Sequence, residues 1–265
     1  MSTSFDLSRI GGRATLDALL EEIVAAGEDA LVAFRGGAAS RAQTKVDRSP
    51  VTEADEAVER RLRAFLAARV PEAGFLGEES GSGGDGHALR FVVDPIDGTR
   101  SFLRGLSSWT ILVGLEADGE PVLGVAYFPV SGDLYWGVRG HGAYGNGRPL
   151  RVSKVPSLDA ALVCHGSLQQ FTGAGVAPLL PRLAEGTYTQ RGLSDFDGYR
   201  HVLEGRADAM IDPGVQPWDT IVGAVLVREA GGRFTSMSGE DTIHGGSALA
   251  SNGLVHDAVL ALLRG

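Results

Sequence analysis

The sequence predicts a mixed fold, an α-plus-β body that leads into an α/β half. Three observations point to it. Apolar residues recur at helical spacing through roughly the first 70 positions, and from about residue 89 the pattern changes to short β-branched and aromatic runs. In the later part, strands and helices are mixed. No linker is long enough to separate independent domains, and there is no internal repeat or low-complexity tract. Residues 1–265 are therefore expected to form a single unit, with an α+β half over 1–152 and an α/β half over 153–265.

The elements follow in order. Leu16, Leu19, Leu20, Ile23, Ala30, Leu31 and Phe34 fall on one face of a first amphipathic helix. A polar loop, "RGGAASRAQTKVDRSP", separates it from a second helix marked by Val58, Leu62, Phe65 and Leu66, which starts near Thr52 and stops before Pro71. The runs "LRFVVD", "WTILVGLE", "PVLGVAYF" and "DLYWGVR" read as strands divided by glycine, proline and aspartate turns. "AALVCHG" and "ADAMID" are further strands, and 217–230 is a helix stopped by the glycines at 231–232. Trp109, Trp136 and Trp218 are expected to be core or near-core anchors rather than a base-stacking platform.

Composition narrows the function. A net charge of −9 argues against a broad nucleic-acid surface, which needs a basic face. No apolar run approaches the length of a membrane span, and "MSTSFDLSRI" lacks the pattern of a secretory leader. Cys164 is the single cysteine, so no internal disulfide can form and a reducing cytoplasm is expected. The six histidines show no HxxxH or HExxH spacing for zinc. "GHGAYG" at 140–145 matches GxGxxG, but "NGRP" follows at once, which predicts a turn between strands rather than a dinucleotide-binding helix start.

Four acidic clusters remain: "SPVTEAD", "GEES", "DPIDGT" and "QPWD". Asp94 and Asp97 end an apolar run that looks like a buried strand, and neither carboxylate is needed there. Two such charges side by side call for a cation, and hard divalent ions such as Mg²⁺ take carboxylate, carbonyl and phosphate oxygens. The Ile96 carbonyl could turn inward as a further ligand, and the N–H groups of Gly98 and Thr99 could hold a phosphate. Each cluster has a plainer reading. Thr52 and Asp55 fit a helix cap, "GEES" a polar loop, and "PWD" a proline-started helix with an acidic first turn. The four together, in this order, favour the metal-site reading.

"GEES", "DPIDGT" and "PWDTIVGAVLVREAGG" closely resemble the signatures of the inositol monophosphatase superfamily of Mg²⁺-dependent, lithium-sensitive phosphatases, and the resemblance covers nearly the whole chain. It implies a layered αβαβα sandwich of the sugar phosphatase type, two or three Mg²⁺ ions and a homodimer. By the same resemblance, Glu78, Asp94 and the Ile96 carbonyl hold the first ion, and Asp94, Asp97 and Asp219 hold the second. Glu79 holds a third ion through water, and Thr99 with Asp55 activates the attacking water. Lys45 is a basic residue near the mouth of the site. The implied reaction is hydrolysis of a small phosphate monoester without a covalent enzyme intermediate.

Substrate choice is less directly written. "SPVTEAD", "DTIHGGSALASNG" and "RGLSDFDGYRHVLEGRADAMIDP" resemble the histidinol-phosphatase branch. Asp212 takes the position of an acidic side chain that contacts substrate beyond its phosphate, which suits a histidinol ammonium or imidazolium and also inositol hydroxyls; a turn start before Pro213 is the plainer reading. Gln216 departs from the asparagine expected in that branch, and residues 166–190 match no recognised pattern. L-histidinol phosphate is the favoured substrate. Inositol 1-phosphate and then 3′(2′),5′-bisphosphate nucleotides follow, with fructose 1,6-bisphosphate as a secondary activity. A non-catalytic regulator that binds a phosphorylated metabolite is the reading from another class.

Overall fold

A computed structural model describes residues 3–36, 43–44, 50–83 and 86–264. The first helix, α1 (Arg13–Arg35), and the second, α2 (Glu53–Arg69), flank a short antiparallel pair, β1 (Gln43–Thr44) and β2 (Pro50–Val51). Thr52 caps α2 from extended backbone and forms a reciprocal capping box with Asp55, so the helix starts at the predicted residue. An eight-stranded sheet follows, from β3 (Gly74–Gly77), β4 (Gly81–Gly83), β5 (Leu89–Asp97), β6 (Thr110–Ala117), β7 (Glu120–Phe128), β8 (Asp133–Val138), β9 (Gly142–Gly145) and β10 (Arg148–Pro149). Its order is β10-β9-β8-β7-β6-β5-β3-β4, a meander completed by a parallel β3–β5 pair. A one-turn helix, α3 (Thr99–Leu103), leaves the end of β5. Phe102 anchors it edge-on against buried Trp109, with ring centroids 5.0 Å apart.

The remaining chain builds a second sheet and its helices. These are β11 (Leu162–His165), α4 (Leu168–Gly173), α5 (Leu179–Gly186), β12 (Thr189–Arg191), α6 (Asp195–Leu203), β13 (Ala209–Pro213), α7 (Pro217–Glu229), β14 (Arg233–Thr235), β15 (Ser247–Ser251) and α8 (His256–Arg264). The sheet order is β12-β11-β13-β15-β14. Helices α1 and α2 cover the outer face of the large sheet. Helices α6 and α7 lie between the sheets, and α4, α5 and α8 cover the far side of the small one. The result is a five-layer αβαβα sandwich.

Both faces of the large sheet are buried, so alternate residues of one strand enter different cores. Phe91 and Val93 join the α1–α2 side, whereas Val92 and Leu112 join the α6–α7 side. The close seat of α7 depends on glycine. Gly114, Gly124 and Gly137 are cross-strand neighbours on β6, β7 and β8 and form a row without side chains. A Cβ at Gly114 would sit 2.5 Å from Cγ2 of Ile221, and one at Gly137 would sit 2.7 Å from Cδ2 of Leu226. Helix α7 therefore lies in a groove cut by the three missing side chains. "GHGAYG" forms a turn into β9, with no helix after it.

Candidate metal and phosphate site

A bulge brings the two aspartates of "DPIDGT" together. In a regular strand, residues three apart point to opposite faces. On β5 the pairing shifts between Asp94, opposite Leu112, and Asp97, opposite Thr110. Three steps on β5 therefore match two on β6, so the side-chain parity resets and both carboxylates point the same way. Val93 and Ile96, also three apart, correspondingly enter the same core. Pro95 lies inside the bulge, where the ladder needs no N–H donor from it.

The third carboxylate comes from α7. Asp219 lies in its first turn, where its Oδ2 accepts the Gln216 N–H at 2.6 Å. One ligand oxygen from each of Asp94, Asp97 and Asp219 lies within 4.8 Å of the others. Asp97 is held by the Phe196 N–H at the start of α6, at 2.7 Å. Asp94 accepts the Ile96 N–H at 3.1 Å, and the Ile96 carbonyl in turn accepts the Thr99 hydroxyl at 3.1 Å. The Glu78 N–H donates to the Val93 carbonyl, which sets the acidic loop after β3 beside the end of β5.

Glu59, on α2, was not singled out in the sequence. It is 3% exposed, and its two carboxylate oxygens accept the N–H groups of Glu79 and Ser80 at 2.8 and 2.9 Å. A Cβ on Gly77 would meet that carboxylate at 2.4 Å, so "GEES" begins with glycine where Glu59 reaches through. Asp55 completes the helix cap and also reaches toward Thr99. One oxygen completes the cap on Thr52, while the other faces the Thr99 hydroxyl at 3.5 Å.

Glu78, Asp94, Ile96, Asp97, Gly98, Thr99, Asp212 and Asp219 all line one cavity of about 220 Å³, together with Asp195 and residues of α4. Asp55 stands behind Thr99. Glu79 is outside the lining and meets Glu59 through its backbone, and Lys45 lies outside the described residues. Gly98 has a φ of +82°, a conformation that favours glycine, and a Cβ there would meet Asp195 Oδ2 at 3.1 Å. Asp195 is the second residue that sequence reading passed over as a site. The "SDFDGY" stretch that contains it was the available signal.

The electrostatics call for a cation. Among the described lining residues, Arg100 is the one basic side chain beside six carboxylates. Burial, and then the charges of Glu78, Asp97 and Asp219, push Asp94 well above the usual carboxylate range. Asp97 is raised likewise by burial and then by Asp195 and Asp219. Burial pushes Asp219 up to about 7 and Asp55 up to about 6. An all-oxygen donor set, closely spaced and self-repelling, fits a hard divalent ion such as Mg²⁺.

The sequence pattern of the inositol monophosphatase family matches residues 13–265. A histidinol-phosphatase of Mycobacterium tuberculosis is 40% identical over 93% of this chain and 97% of its own. One from Streptomyces coelicolor is 37% identical over 84% of this chain and 87% of its own. Among solved structures, the extragenic suppressor protein suhB of Bartonella henselae superposes with a TM-score of 0.86 at 28% identity, covering 95% of this chain and 98% of that one.

Proposed function

The chain belongs to the inositol monophosphatase family, and from that premise we propose that it is a Mg²⁺-dependent phosphomonoesterase acting on L-histidinol phosphate. The observation that carries the substrate is the surplus of negative charge. Beyond Asp94, Asp97 and Asp219, the same cavity holds the carboxylates of Asp195 and Asp212, the latter 2% exposed. A neutral polyol gives a buried carboxylate hydrogen bonds but no opposite charge. The ammonium or imidazolium of histidinol supplies both, which offsets the cost of keeping the carboxylates ionised out of water.

Each residue then has a task. Asp94, Asp97, Asp219, Glu78 and the Ile96 carbonyl hold the cations, of which two or three bind, the third near Glu79. Bound Mg²⁺ supplies charge neutralisation, polarises phosphoryl oxygens and makes water more acidic. Thr99, between Asp55 and the Ile96 carbonyl, orients the attacking water and passes its proton toward Asp55. Gly98 and Thr99 receive phosphoryl oxygens, and Asp195 and Asp212 face the leaving group. The phosphorus–ester oxygen bond breaks as the new oxygen–phosphorus bond forms; the leaving alkoxide takes one proton from solvent, and Asp55 afterwards returns to solvent the proton it received from the attacking water. The reading includes a homodimer in the cytoplasm. No helix among the described residues is long and apolar enough to cross a membrane.

The test compares kcat/KM for histidinol phosphate and inositol 1-phosphate under saturating Mg²⁺. A preference of about a hundredfold for histidinol phosphate, near 2.7 kcal/mol, is expected. Equal rates, or a preference for inositol 1-phosphate, would overturn the substrate assignment and leave the hydrolase assignment standing.

A further inference from the structure

We propose that Gln170 is a positioning residue for substrate choice, fixing the direction in which Asp212 presents its carboxylate to the leaving group. The proposal rests on the phosphomonoesterase reading and deepens it. It also gives a role to part of the 166–190 segment, whose sequence matched no recognised pattern.

Asp212 lies on β13, at the floor of the cavity. Its Oδ2 accepts the Tyr199 hydroxyl at 3.3 Å, and its Oδ1 accepts the Gln170 amide Nε2–H at 3.4 Å. Both bonds are long, and a carboxylate has about four acceptor sites, so lone pairs remain for a third donor in the cavity. The direction of the Gln170 amide follows from its other partner. Its Oε1 accepts the Ser167 N–H at 2.6 Å in the reciprocal cap that starts α4. Turning the amide over would place its NH₂ against that N–H and its oxygen against the Asp212 carboxylate. Both contacts would be repulsive, so the donor end must face Asp212.

The backbone is built for this approach. The Gly166 N–H donates to the Ile211 carbonyl, extending the β11–β13 pairing up to the residue before Asp212. A Cβ on Gly166 would lie 2.5 Å from Asp212 Oδ1 and 2.6 Å from Gln170 Oε1. Any larger residue would drive the amide and the carboxylate apart. Gln170, Ser167 and Asp212 all line the cavity that contains the acidic cluster.

The plain alternative is that Gln170 merely caps α4, and Gln170→Glu separates the two roles. Glutamate at this position keeps the reciprocal cap on Ser167 but has no N–H to give Asp212, and sets a second negative charge against it. Hydrolysis of histidinol phosphate, inositol 1-phosphate and p-nitrophenyl phosphate is measured for wild type and variant, with melting temperature as the check on the cap. Wild-type preference between the first two esters tests the substrate reading by itself. For whichever ester wild type prefers, the variant's kcat/KM should fall about tenfold more than its kcat/KM for p-nitrophenyl phosphate, mostly through KM, at a near-native melting temperature. An equal effect on the preferred ester and p-nitrophenyl phosphate, or none on either, would overturn the positioning role, whichever ester that is. If Gln170→Glu melts early, Gln170→Met, which has the same reach and no polar end, is measured for the same ratio and read the same way.

Discussion

Gly114→Ala tests whether the groove under α7 places Asp219. The added Cβ would stand 2.5 Å from Ile221 Cγ2 and 2.8 Å from its Cδ1. Carbon atoms rest at about 3.5–4.0 Å, so helix and sheet must separate by about 1 Å. Ile221 is two residues from Asp219 on the same helix, so the carboxylate moves with it. Overpacking of this kind costs about 1–3 kcal/mol of stability, and a 1 Å misplacement of a reacting group costs about a hundredfold in rate. The assay is kcat at saturating Mg²⁺ with a thermal melt on the same samples. The double variant Gly114→Ala/Ile221→Ala returns room to the helix and should recover about tenfold of the lost rate, although Ile221→Ala alone leaves a cavity costing about 2–5 kcal/mol. A single variant within about twofold of wild-type kcat, or a double variant no faster than the single, would refute the reasoning.

Two other perturbations probe the supports and charge of the site. Glu59→Gln leaves one of the N–H groups of Glu79 and Ser80 facing an NH₂ group, which should cost about 3 kcal/mol, or about 6–12 °C in melting temperature. The Mg²⁺ concentration for half-maximal activity should rise about tenfold with it, and an unchanged titration would show that Glu59 does not support the site. In EDTA, Asp219 and Asp55, raised by burial to about 7 and about 6, bind protons more tightly in the folded chain than in the unfolded one. Their stabilising contribution is complete below the unfolded carboxylate value of about 4 and is lost as pH rises through about 6 to 7. The melting temperature of the metal-free protein should therefore fall across that window, and Mg²⁺ should flatten the profile; a flat profile in EDTA would contradict the charge account.

Much of this architecture can be read from residue patterns because its helices and strands bury regular faces. The capping box at Thr52 and the glycine stop after α7 stand where local chemistry places them. Asp94, Asp97 and Asp219 were recognisable through their motifs, but their convergence depends on the β5 bulge, which spacing alone does not reveal. Glu59 was hidden because a glutamate inside an amphipathic helix reads as part of its solvated face; only the fold shows it reaching the backbone after β3. The glycine row had a signal, one glycine inside each of three strand sequences, but their alignment is a matter of register. Residues 166–190 were opaque for a similar reason: Gln170 acquires its meaning from Asp212, 42 positions away.

The most direct test of the central claim is phosphate release from histidinol phosphate, titrated with Mg²⁺, by the wild-type protein and Asp94→Asn. Asp94 is buried and feels the charges of Glu78, Asp97 and Asp219, and its amide isostere keeps the shape while removing a charge from the cation site. Wild-type release should depend on Mg²⁺ and vanish in EDTA, and Asp94→Asn should lose about a thousandfold or more in kcat/KM. An Asp94→Asn protein with full Mg²⁺-dependent release would contradict the assignment of this cluster as the catalytic metal site.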